Sequence, residues 1–70
     1  MKFEEALKAM RDGKAVTRKA YNDEYLYIIE NLNKEPIMFI KKKYEPKNCV
    51  ATINIINILA EDWEIVDDNT

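Results

Sequence analysis

The apolar positions of the chain fall into two regimes. Phe3, Ala6, Leu7 and Met10 recur at i, i+3, i+4 and i+7, the stripe of an amphipathic helix. Glu4 and Glu5 sit in its first turn, where the helix dipole favours negative charge, and Lys8 stands four residues after Glu4, a spacing that permits an ion pair. Gly13, the one glycine of the chain, follows the periodic stretch and predicts its C-terminal stop, because glycine turns left-handed without a Cβ penalty.

After Gly13 the period shortens. Ala15–Arg18 predicts a short strand, Asn22-Asp23-Glu24 a polar turn, and Tyr25–Glu30, rich in aromatic and β-branched residues, a second strand. Asn31–Glu35 supplies hairpin chemistry. Pro36 can open the strand Ile37–Tyr44, since a first position need not donate to the ladder, and Glu45-Pro46-Lys47-Asn48 breaks it. Cys49–Leu59 fits two patterns, and the reading places a strand over Cys49–Ile53 and a helical turn over Asn54–Ala60, with Ile55, Ile58 and Leu59 on one face. Trp63–Val66 is a final strand with Trp63 and Ile65 on one face. Asp67–Thr70 is a polar tail expected to fray. The predicted fold is α+β: an N-terminal helix followed by a small, mainly antiparallel β-sheet, with a short helical turn before the last strand. Residues 1–70 are expected to form a single domain.

Composition narrows the function classes. The 70 residues are 47% hydrophobic and 34% charged, a globular balance. A domain this short buries only ~60% of the surface its unfolded chain exposes, which argues against a deep catalytic site and favours self-association as a source of extra core. No apolar run approaches the ~20 residues of a membrane span, and Met1–Glu5 lacks the apolar stretch of a signal peptide. One cysteine, Cys49, cannot make an internal disulfide, so a reducing cytoplasm fits best. With no histidine and one cysteine, a structural zinc site within one chain and histidine-based acid–base catalysis are excluded. The net charge of −2 gives no bulk attraction to nucleic acid or anionic lipid, and neither is an expected partner.

Four groups of residues could carry chemistry. Arg18, Tyr21 and Asn22 combine a multi-donor fork suited to phosphate, a ring for stacking and an amide able to bond a base edge or ribose hydroxyl. The same spacing also suits a strand end with a packed tyrosine and an Asn turn. Lys41, Lys42 and Lys43 could meet phosphate, but strand alternation splits them between faces, and lysines also blunt edge strands against aggregation. Glu61 and Asp62 could do general acid–base work, yet no nucleophile, metal-ligand set or glycine-rich loop accompanies them, and a cap or turn role suits them with Trp63 in the core. Cys49 reads as a small buried hydrophobe, because no histidine can activate it. Tyr21, Tyr25, Tyr27 and Tyr44 are many for this length. They are expected mostly in core or interface, any exposed one being a candidate stacking platform.

The order of local phrases goes further. Phe3-Glu4-Glu5-Ala6-Leu7, then Gly13-Lys14, Val16-Thr17-Arg18 and the aromatic–Asn pair Tyr21-Asn22 make one half of a pattern. Ile58-Leu59-Ala60-Glu61-Asp62-Trp63-Glu64-Ile65-Val66 makes the other. Together they resemble a widespread phage and prophage domain family whose characterised members are the second type of Thoeris anti-defence protein. The resemblance spans nearly the whole chain, with almost no signal over Asn31–Asn48.

The resemblance implies a non-enzymatic sponge, with no cofactor, acting in the bacterial host cytoplasm. Such proteins bind the cyclic ADP-ribose-type signal made by a defence enzyme and hold it intact, and some relatives take up cyclic oligonucleotides. It further implies homo-oligomers, typically tetramers, with ligand pockets where protomers meet. Carried over residue by residue, Arg18 and Asn22 match, and Tyr21 stands where tryptophan is usual. Asn57 replaces the aspartate that usually opens the final phrase, and Asp62 and Trp63 match. A second tryptophan, common in the family near Ala51 and Thr52, is missing. The implied ligand-binding set is Arg18, Tyr21, Asn22, Asn57 and Asp62, with Lys14 and Lys19 the nearest further cations for a pyrophosphate. A protein-interaction module that inhibits a host protein, drawing on Ile53, Ile55, Ile56 and Ile58, is the competing expectation. A hydrolase using Glu61 or Asp62 and a nucleic-acid binder are weaker ones.

Overall fold

The computed structural model describes residues 1–66. The expected Asp67–Thr70 tail lies outside the described residues. Helix α1 (Phe3–Arg11) is followed by strands β1 (Val16–Thr17), β2 (Glu24–Glu30), β3 (Pro36–Lys42) and β4 (Asn48–Val50), a short helix α2 (Ile55–Ile58) and strand β5 (Glu64–Ile65). The strands form one antiparallel sheet in the order β4-β3-β2-β1-β5. The α+β architecture, with its short helix before the last strand, is the one the hydrophobic pattern predicts.

Both ends of α1 follow from local chemistry. At its start the Lys2 N–H donates to Glu5 Oε1 at 3.3 Å. Lysine offers no acceptor, so only the returning half of a capping box forms. At its end Gly13 has φ 90°. The Gly13 N–H bonds Met10 C=O and the Lys14 N–H bonds Ala9 C=O, both at 3.0 Å, the paired closure of a Schellman motif.

The β2–β3 hairpin also closes as its sequence predicts. The Asn31 N–H donates to Glu35 C=O at 3.0 Å and the Lys34 N–H to Asn31 C=O at 2.9 Å. The Asn31 side-chain oxygen accepts from the N–H groups of Asn33 and Glu35, both at 2.9 Å. Lys34 takes φ 61°, the left-handed position that ends a three-residue hairpin loop and that glycine would fill without strain.

The core lies between α1 and one face of the sheet. Ala6, Ala9 and Met10 from the helix bury against Val16, Leu26 and Trp63. Two alanines on the helix let it approach the strands closely, and Trp63, 1% exposed, fills the remaining volume. Phe3 meets Trp63 at a ring-centroid distance of 5.5 Å. Each large side chain buried this way contributes roughly 1.5–3 kcal/mol. The register places Val16, Leu26, Ile28, Met38 and Ile40 on this covered face. Tyr25, Tyr27, Ile29, Ile37, Phe39 and Lys41 are therefore on the other, because side chains alternate along a strand.

Several expectations are corrected. The Cys49–Ile53 strand shortens to Asn48–Val50, with the Ala51 N–H adding one more bond to Met38 C=O at 2.9 Å. Cys49 is exposed rather than buried, because α1 packs over β1, β2 and β5 and does not reach β4. Lys41–Lys43 do not protect a sheet edge. β3 is an interior strand, Lys41 pairs with both Tyr25 and Asn48, and the edges are β4 and β5. The final strand shortens to Glu64–Ile65. Trp63 is buried as expected, but Ile65 stays 48% exposed at the sheet edge. Among the described residues no helix is long and apolar enough to cross a membrane.

Candidate functional site

Arg18 leaves β1 at the start of a tight excursion. The Tyr21 N–H bonds Arg18 C=O at 3.0 Å, and Thr17 Oγ1 donates to Glu24 C=O at 2.6 Å, closing the loop at its base. The Lys43 N–H bonds Asp23 C=O at 2.6 Å and anchors the far side. The loop therefore holds Arg18, Tyr21 and Asn22 on a fixed frame.

The guanidinium turns towards residues far along the chain. Arg18 Nε donates to Asp62 Oδ1 at 2.7 Å, and Arg18 Nη1 donates to Asn57 Oδ1. Asn57 is itself fully engaged. Its side-chain Nδ2 donates to Asn54 Oδ1 at 2.8 Å and its backbone N–H to the same oxygen at 3.1 Å. Its backbone C=O accepts the indole Nε1–H of Trp63 at 3.0 Å. Asn54 is thus the N-cap of α2, and the same oxygen fixes which way the Asn57 amide points. The result is a polar node tying the end of β1, helix α2 and the start of β5 to the buried tryptophan.

Electrostatics follow this geometry. The Arg18 hydrogen bond, aided by the guanidinium's charge, holds the Asp62 carboxyl below its ordinary range, outweighing partial burial, which pushes the other way. Burial raises the Tyr21 phenol above its ordinary value. Arg18 nearby pulls it down, while Glu24 and Asp62 push it further up. Tyr21 packs its ring against Trp63 in a near-perpendicular arrangement, 5.8 Å between centroids.

The structure thus gathers Arg18, Tyr21, Asn57 and Asp62, with Asn22 exposed beside them. It divides their work. Asn57 and Asp62 spend acceptors on Nη1 and Nε of Arg18, whose side chain is mostly buried, while its other N–H donors are not used in these bonds and Asn22 is exposed. Glu61 does not share the node. Its carboxylate lies 4.0 Å from Lys2 Nζ, and its backbone C=O accepts from the Met1 nitrogen at 3.0 Å. A nearby open groove of about 360 Å³ is lined by Lys2, Phe3, Glu4 and residues Ile58 to Glu61, and takes in neither Arg18 nor Tyr21. Sequence reasoning missed Asn54. Its signal was present in the Asn-x-x-Asn spacing at the start of the short helix, a side-chain cap pattern.

The Arg18 that follows β1, the Tyr21-Asn22 pair and the Glu61-Asp62-Trp63 phrase thus meet at one corner of a small α+β domain. The sequence profile of the Tad2-like family, the Thoeris anti-defense 2-like domain, matches residues 1–66. The chain belongs to this family, and its role lies in Thoeris anti-defence. No curated protein matches the chain.

Proposed function

We propose that the protein binds a cyclic nucleotide immune signal and sequesters it without cleaving it. The ligand class is a cyclic ADP-ribose isomer, with cyclic oligonucleotides as further ligands. Family membership over residues 1–66 sets the pathway. The observation that carries the reading is the fixed Arg18 guanidinium, held by Asp62 and Asn57 with donors to spare, beside Tyr21 and Asn22. A planar cation with unspent N–H groups suits a pyrophosphate, a phenol ring suits a base, and an exposed amide suits a ribose or base edge. A domain of this size encloses a nucleotide most readily where copies meet. The reading therefore includes a homo-oligomer, of tetramer order, acting in the cytoplasm of the bacterial host. It assigns no catalytic residue.

Isothermal titration against cyclic ADP-ribose isomers and cyclic oligonucleotides tests this directly. Micromolar or tighter binding to one of them, with the ligand recovered chemically intact after heating the complex, supports it. Absence of binding to all of them by folded protein sinks it, and product accumulating over time would make the protein an enzyme.

A second reading, a module that inhibits a host protein and takes no small ligand, draws on one observation. Ile55, Ile56 and Leu59 are 62%, 71% and 72% exposed, an apolar group on and beside α2. Stoichiometric retention of one host protein, lost on Ile56→Glu and insensitive to added nucleotide, would favour it.

A further inference from the structure

The face of the sheet turned away from α1 carries a continuous set of rings and branched side chains. Tyr25 and Tyr27 lie 6.0 Å apart between centroids, and Tyr27 stacks on Phe39 at 5.8 Å and 21°. Ile29 and Val50, 51% and 68% exposed, extend this set at its ends. No element of the described chain covers it.

The pairing register fixes what stands beside what. One row across this face reads Asn48, Lys41, Tyr25, Thr17, Glu64, running from β4 to β5. The next row holds Val50, Phe39 and Tyr27, and continues past β1 to Val66, whose N–H bonds Ala15 C=O at 2.9 Å. Lys41 and Glu64 are the charges of the first row. They stand three strands apart, ~14 Å at the usual strand spacing, too far to pair within one chain.

We propose that this face is where a second copy of the chain packs, with Lys41 of each protomer against the partner's Glu64. A two-fold axis running along the strands between β1 and β2 produces that match. It exchanges the β3 position with the β5 position, so opposite charges meet twice and Tyr25 meets the smaller Thr17. In the second row it sets Phe39 against the partner's Val66. Strands of the two sheets stay nearly aligned, as in face-to-face sheet packing. An isologous contact must be self-complementary, and the opposite signs on either side of the Tyr25–Thr17 pair satisfy that condition. A specific contact needs about 1,000 Å² in total, ~500 Å² from each copy. The rings supply the dry centre and the charges the polar rim.

This deepens the functional reading by naming the contact that joins the copies. The measurement uses no ligand, so its failure and the failure of sequestration are separable. Sedimentation equilibrium of the full chain should give a mass of at least two protomers. Lys41→Glu and Glu64→Lys should each raise the dissociation constant of this contact by about tenfold or more, and the double exchange should bring it back to within about threefold of the starting value. Phe39→Lys should halve the assembly mass. Near-ultraviolet circular dichroism from Trp63 confirms that each variant is folded. The proposal is overturned by a monomeric wild-type chain, by single charge reversals that leave the association unchanged, or by a double exchange that is additive rather than restoring. It is equally overturned if Ile56→Glu on α2 dissolves the assembly while Phe39→Lys does not.

Discussion

The Arg18 corner and the bare face of the sheet lie on the same small domain and are built on opposite plans. At the corner every polar group of Asn57 is engaged, one carboxylate answers one guanidinium, and a buried tryptophan supports the whole. On the sheet face aromatic rings touch one another, and opposite charges stand unpaired at a distance. The difference separates two needs. A binding corner gains from being set before the ligand arrives, since ordering costs are then already met by folding. An association surface gains from being incomplete alone. A short chain can meet the first need within its own core, but has too little material to cover both faces of its sheet.

If the corner carries the fold, the largest effect lies beneath it. Trp63→Ala should cost about 3–5 kcal/mol, enough to unfold most of the population of so small a domain in a urea titration. A smaller loss would mean that the node stands without its support. Arg18→Ala should cost about 1.5–3 kcal/mol in thermal unfolding through its hydrogen bond to Asn57, while leaving the oligomer mass unchanged. It should also weaken ligand binding and its salt dependence. Unchanged stability would make Arg18 a ligand group only.

Tyr21→Ala should weaken nucleotide binding by ~1–3 kcal/mol, the scale of a base stacked on a ring, with the assembly intact. Unchanged affinity would remove Tyr21 from the site and leave it as packing for Trp63. Lys34→Gly is the control that touches neither region. Relieving a left-handed lysine should stabilise by roughly 0.5–1 kcal/mol, with no change in binding or association.

The smallest expected effect is in pH. Asp62 has a depressed carboxyl, so its contribution to stability is present above the ordinary value of 3.8 and fades as pH falls through the lower folded value. Tyr21 has a raised phenol, so its contribution is present below the ordinary value of 10.0 and is lost as pH rises beyond it. Stability curves for Asp62→Asn and Tyr21→Phe should each lose one of these slopes. A slope retained in its variant would belong to another group, detaching Asp62 from the Arg18 bond or Tyr21 from burial against Trp63.

What the sequence disclosed and what it hid follow one physical division. The α1 stripe, the Gly13 stop and the Asn31–Glu35 hairpin are written within a few residues and could be read directly. So could the buried Trp63. The exposure of Cys49 could not, because it depends on how far α1 reaches across the sheet. Nor could the interior position of Lys41 and Lys42, which follows from β4 pairing along the free side of β3. The family phrases brought Arg18, Asn57 and Asp62 together as a set. Only the fold shows that the latter two, 39 and 44 residues away, hold the arginine in place. Long-range pairing of that kind leaves no periodic trace.

The lone tryptophan also gives the protein a built-in optical probe. Its indole N–H reports on Asn57, its ring abuts Tyr21, and water reaches almost none of it. Any molecule that shifts the corner should move its emission wavelength or quench it, with no label attached. Thr17 and Glu64 of the sheet face adjoin Arg18 and Trp63 in the chain, so the same signal should also move when copies part on dilution, and a ligand titration at fixed protein concentration separates a bound nucleotide from a bound neighbour.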